Sequence, residues 1–328
     1  MQSLKRWVRL LTNGSEETRV RATWRSLIPL GVGFGIQLLA LAGLASTIRT
    51  LFEVAEFGPE LRQMINLGLL GLVSAIGLLC AVVVARRLDE RTLSGYGLGV
   101  SRIDRLDLLA GTVIGGLTYA VPTGVFLFTG DAELKRTLVS PVSAPRVVAV
   151  LAVAAIVTFG FQVTFEEFVF RSAMLTNFAE GLTARDVSDE AAVGAALLLS
   201  SLLFGVMHVV RQGGGGVEGR SVQIVLTSAL LGLLWGGAYV LTGRLSVAVG
   251  LHFGHNVWAA VVLQPTGVTP TPPALGQVAY TASLYELTIG KVVVGAACLL
   301  TWVYLTRGEL AIESDIAHWR AKSSGVAS

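Results

Sequence analysis

"TFEEFVFRSAML", Thr164–Leu175, closes an apolar run that begins at Val147 and carries no charge before Glu166. Glu166, Glu167 and Arg171 then fall within six residues. About 20 apolar residues suffice to cross a bilayer, so the three charges stand at lipid level. Charge in a span is costly and usually functional. The stretch therefore reads as a membrane helix that carries part of a polar site.

The rest of the chain fits that reading. Of 328 residues, 53% are hydrophobic and 14% charged, against about 25% charged in a soluble domain. The apolar residues fall in blocks that predict eight spans, at 27–48, 65–85, 108–129, 147–175, 192–210, 222–241, 246–263 and 287–306. The expected fold is all-α and polytopic, with the polar motifs on spans four to seven. Residues 1–26 are too long and too charged for a signal-peptide leader region, so span one is expected to stay. That segment is either a solvated leader or lies on the membrane with Trp7, Val8, Leu10 and Leu11 against lipid.

Most of the 25 Lys and Arg residues collect on one side if the N-terminus is cytoplasmic. The expected organisation is a basic cytoplasmic segment over 1–26, a membrane domain over 27–306 with its motif core at 145–262, and a cytoplasmic tail over 307–328. A prokaryotic plasma membrane is the expected location. The net charge of +3 follows from this bias and calls for no nucleic acid. Cys80 and Cys298 lie in apolar spans and read as small buried hydrophobes. "GGGG" at 213–216 reads as a flexible connection. "PTGVTPTPP" at 265–273 reads as an irregular outer loop.

The ionisable groups inside spans are few: Glu166, Glu167, Arg171, His208, His252, His255 and Lys291. Glu167 and Arg171 are four apart on one helix face and can pair. Glu166 is rotated about 100° from that face, so it can stay available while its neighbour is neutralised. His252 and Asn256 project together, and His255 is offset from them and reads as structural. Lys291, near a helix end, is expected to extend to the interface. A carboxylate with an imidazole can deprotonate a water, and a second His with an Asn amide can stabilise an oxyanion. Two His and a carboxylate could instead hold a metal. Counting residues puts Glu166 and His252 toward the cytoplasmic half and His208 toward the outer half. They meet only if helix four is long and tilted or the loop 211–221 folds inward.

"EEFVFR" at 166–171, "FGVMH" at 204–208 and "HFGHN" at 252–256 resemble, in order, the three motifs of the CAAX-protease and bacteriocin-processing family of intramembrane proteases, which includes type II CAAX prenyl endopeptidases. The resemblance covers about 145–262. It implies that Glu166 and His208 activate water, that His252 and Asn256 stabilise the oxyanion, and that Glu167 and Arg171 support the site. Ser172 stands where a glycine often follows the arginine. The implied partners are the bilayer and a membrane-associated peptide or protein, prenylated or not. Both a zinc mechanism, with Glu166, His208 and His252 as ligands, and a metal-free one are compatible with the motifs. Asn256, a poor zinc ligand and a good amide donor, favours the metal-free form. A non-catalytic immunity or binding module and a proton-coupled transporter are the alternatives. Intact hydrolytic motifs weigh against the first, and the lack of internal repeats against the second.

Overall fold

The computed structural model describes residues 19–54, 58–140, 142, 144–211, 220–266 and 272–318. Trp7, Val8, Leu10, Leu11, the glycines at 213–216 and positions 267–271 of the proline-rich loop lie outside them. Eight helices are long and apolar enough to cross a membrane, and the protein is a polytopic helical membrane protein. In chain order they are α1 (Ala22–Val54), α2 (Pro59–Asp89), α3 (Arg102–Thr129), α4 (Pro145–Glu167) continuing through a π-helical segment (Phe168–Leu175) into α5 (Thr176–Thr183), α6 (Asp189–Arg211), α7 (Arg220–Thr242), α8 (Leu245–Val257) with a π-helical end (Trp258–Val262), and α9 (Leu284–Arg307).

Local chemistry sets many of the helix ends. Pro59 and Pro145 stand in the first turns of α2 and α4, where a missing N–H costs nothing. Ser101 and Ser283 form capping boxes with Asp104 and Glu286 at the starts of α3 and α9. Gly308, at φ 78°, closes α9 in a left-handed turn that favours glycine.

One end of the bundle carries a small sheet that the sequence did not disclose. Strands β1 (Ala132–Val139), β2 (Leu263–Pro265) and β3 (Ala274–Tyr280) lie in the order β1-β3-β2. The β1–β3 pair is antiparallel, Ala132 opposite Tyr280, and β2–β3 is parallel. Pro265, at the start of the proline-rich stretch, belongs to β2, and β3 begins directly after Pro273.

The opposite end is basic and held by buried ion pairs. Glu180 on α5 accepts from Arg19 and Arg25 at 2.7 Å each and from Arg91 at 2.5 Å. Asp89 accepts from Arg25 at 3.3 Å, Asn177 at 2.9 Å and the Tyr96 hydroxyl at 2.6 Å. Burial, with Asp89 alongside, pushes the Tyr96 hydroxyl up, so it stays a donor. The tail after α9 crosses this end. The Glu313 N–H bonds the Val240 carbonyl at 2.9 Å, and His318 pairs with Asp189 at 2.8 Å.

The closest helix crossing joins α3 to α8. Gly111 and Gly115 face Gly250 and Gly254, the small-residue spacing that lets membrane helices approach to backbone contact. A Cβ on Gly111 would stand 2.6 Å from the Val247 carbonyl oxygen, and one on Gly250 would stand 2.8 Å from the Thr112 nitrogen. A Cβ on Gly254 would overlap the Thr112 carbonyl. This crossing fixes the helix that carries His252 and Asn256. Gly254→Ala is expected to cost about 1–3 kcal/mol, read as a lower thermal midpoint in detergent together with reduced activity. An unchanged midpoint would show that α3 and α8 can part without penalty.

Candidate active site

The site begins where α4 gives way to the π-helical segment. Glu166 and Glu167 are the last two residues of α4, and Arg171 lies in the wider turn that follows. Such turns concentrate at functional positions in helices. α8 likewise ends in a π-helical segment directly after His252 and Asn256. Hydropathy and helical spacing do not reveal either wide turn, because neither changes composition.

Glu167, fully buried, binds two partners. Its Oε1 accepts from His252 Nδ1 at 2.8 Å. Its Oε2 lies 3.2 Å from Arg171 Nε. That second contact is an ion pair out of line for a hydrogen bond, and Arg171 Nη1 and Nη2 have no hydrogen-bond partner. The guanidinium also sits over the Phe204 ring, 4.9 Å from its centroid, a cation–π contact in a water-poor setting. Ser172 donates to the Tyr96 carbonyl at 2.7 Å and so ties the π-helical segment to the loop before α3.

Glu166 is 2% exposed and does not point away from the second carboxylate's partner. Its Oε2 is 3.7 Å from His252 Nε2, and its Oε1 accepts from Gln162 at 3.3 Å. His252 therefore lies between the two glutamates, one at each ring nitrogen. A helical rotation of about 100° separates adjacent side chains, yet an imidazole is wide enough to reach both. The ring is further fixed by Trp235, stacked at 3.8 Å with 9° between planes.

Phe204 joins His208 to this group. Its ring centroid is 4.4 Å from that of His208 and 5.9 Å from that of His252. His208 Nδ1 donates to the Phe204 carbonyl at 2.9 Å, which leaves Nε2 as the acceptor in the neutral ring. A Cβ at Gly232 would meet Phe204 and Ser201 at 3.3 Å and Arg171 at 3.4 Å, so these residues share a level. Phe204 lies in the C-terminal half of α6 and Gly232 near the middle of α7.

Asn256 is one turn beyond His252. Its Oδ1 accepts from His255 Nδ1 at 3.3 Å, a bond that does not use its amide NH2 donors. Direct contacts thus link Glu166, Glu167, Arg171 and His252; Phe204 packs against both His208 and His252, and Asn256 bonds His255. Among the described residues no three His, Cys, Asp or Glu side chains are grouped to hold a metal. Of the alternative zinc set of Glu166, His208 and His252, Glu166 and His252 lie 3.7 Å apart.

Trp235 and Gln162 are contacts that the sequence did not single out. Trp235 stands among apolar residues on α7, with no neighbouring polar motif to mark it. Gln162 is four residues before Glu166, a spacing that could have flagged it. Lys291 departs from expectation. It turns inward, 6% exposed, with Nζ 4.3 Å from the centroid of the Tyr119 ring. Cys80 and Cys298 are free and half-buried.

No curated protein and no solved structure matches the chain. Residues 147–258, which contain Glu166, Glu167, Arg171, His208, His252 and Asn256, match the family model described as type II CAAX prenyl endopeptidase Rce1-like.

Proposed function

We propose that the protein is an intramembrane endopeptidase that hydrolyses a peptide bond in a membrane-associated, prenylated substrate. The observation that carries this reading is His252 placed between two buried carboxylates, 2.8 Å from Glu167 and 3.7 Å from Glu166. One carboxylate is committed to Arg171, and the other stands beside the imidazole that would face a reacting carbonyl. The prenylated substrate class comes from the family description of 147–258, not from a residue of the site.

In the mechanism, His208 Nε2 accepts a hydrogen bond from the attacking water, and Glu166 takes its proton as the oxygen adds to the carbonyl carbon. The carbonyl π electrons move to oxygen. That oxyanion receives N–H donors from Asn256 Nδ2 and from His252 Nε2, the latter with the ring carrying both protons and Nδ1–H directed at Glu167. Collapse re-forms the carbonyl and breaks the C–N bond, and the proton held by Glu166 passes to the departing amine. Both termini and the basic end face the cytoplasm in this reading.

Asn256→Ala tests the oxyanion role. Loss of one such donor costs about 10²–10³ in kcat, with KM little changed, measured on an S-prenylated peptide with the protein reconstituted in vesicles. A kcat within threefold of wild type would remove Asn256 from the mechanism.

A further inference from the structure

Trp235 lies on α7, outside the three polar motifs, and is 3% exposed. Its indole lies flat on the His252 ring, with centroids 3.8 Å apart and 9° between planes. Phe204 closes the corner, edge-on to the indole at 5.6 Å and to the imidazole at 5.9 Å. The indole Nε1–H is buried and has no hydrogen-bond partner among the described residues. A buried Trp usually finds one, and leaving the donor without one is costly. No polar bond therefore accounts for a tryptophan at this position. What it gives its neighbour is a wide, flat face.

The face has a task because of what stands at the edges of His252. Nδ1 is held by Glu167 Oε1 at 2.8 Å, but a hydrogen bond at one nitrogen fixes a point and not a plane. At the other edge, Glu166 Oε2 is 3.7 Å from Nε2, about 0.5 Å beyond hydrogen-bond reach. A small tilt of the ring would close that gap. Nε2–H would then be spent on Glu166, and the carboxylate that takes a proton from water would be spent on the imidazole. The oxyanion donor and the general base would be lost together. Stacking opposes the tilt, because turning the ring out of its plane drives it into the indole on that side in a close-packed interior. Glu167 thus sets where the ring is, and Trp235 sets how it lies. Indole is also the aromatic face that best holds a cation, which suits an imidazole carrying both protons.

We infer that Trp235 is a positioning residue of the peptidase, whose stacked face holds His252 Nε2 apart from Glu166 and aimed at the reacting carbonyl. The inference rests on the peptidase reading. Trp235 acts through His252 and touches no reacting atom.

The test measures kcat and KM on an S-prenylated peptide for Trp235→Met and Trp235→Phe, each in the wild-type and the His252→Ala backgrounds. Protein is reconstituted in vesicles, and rates are taken per amount of folded protein. Both replacements are apolar and smaller than tryptophan, and only phenylalanine keeps a flat face. Trp235→Met is expected to lower kcat about 10²-fold, the cost of roughly an ångström of misplacement, with KM within about threefold of wild type, as for an interaction made only in the transition state. Trp235→Phe should restore part of the difference, losing about 3- to 10-fold. Residues that act as a unit are non-additive, so in the His252→Ala background neither change at 235 should lower the remaining rate by more than about threefold. A merely structural Trp235 would lower the rate by the same factor in both backgrounds, and that result overturns the inference. A Trp235→Met kcat within about threefold of wild type, or equal losses for both replacements, also overturns it. Should Trp235→Met fail to accumulate, Trp235→Phe carries the comparison of backgrounds, and no loss or an equal loss in both overturns the inference. In each of these outcomes wild-type protein still cleaves, and the peptidase reading stands. Absence of cleavage by wild-type protein overturns the peptidase reading and the inference with it.

Discussion

Glu166→Gln is expected to lower kcat for peptide cleavage by about 10²- to 10⁴-fold, the range for loss of a general base, while folded yield stays at the wild-type level. The two effects separate because of where the carboxylate stands. Glu166 is not the counter-ion that Arg171 touches; that role belongs to Glu167. An amide at 166 keeps an oxygen that can accept from Gln162, which now donates to Oε1 at 3.3 Å. It cannot take a proton from water. Rate and thermal midpoint measured on the same preparation check this, and a variant with a wild-type rate would remove Glu166 from the chemistry.

Glu167→Gln and Arg171→Ala should behave differently, with lower folded yield and a lower thermal midpoint as well as lost activity. Breaking a buried ion pair from one side costs about 3–5 kcal/mol, because the remaining charge has no water. Arg171 is fully buried, with Phe204 beneath its guanidinium. Glu167→Gln also removes the charged acceptor at His252 Nδ1, so the imidazole loses its anchor with the arginine. Quantifying folded protein after detergent extraction distinguishes the classes. Equal, wild-type yields for Glu166→Gln, Glu167→Gln and Arg171→Ala would contradict the division of labour between adjacent glutamates.

Much of the helical frame was legible in the sequence, since a span needs little more than length and apolar composition. The helix ends were less so. The fourth span was expected to end at 175, but it continues to Thr183 because Glu180 is neutralised by three arginines that come from distant parts of the chain. The sheet was hidden for a similar reason. "AELKRTLV" at 132–139 is polar and mostly exposed, and its partner β3 lies more than 130 residues away. Spacing correctly foresaw the Glu167–Arg171 pair. It did not foresee that His252 would bridge both glutamates, because helical rotation fixes side-chain directions but not what packs between them. Lys291 shows the same limit, since position near a helix end does not say which way a long side chain turns.

The most direct test of hydrolysis by this site is cleavage of an S-prenylated peptide by purified protein in vesicles, with products identified by mass spectrometry. The account predicts two fragments whose masses add to that of the substrate plus one water with wild-type protein, and essentially none with an equal amount of folded Glu166→Gln. The same fragments at the same rate from both proteins would contradict it.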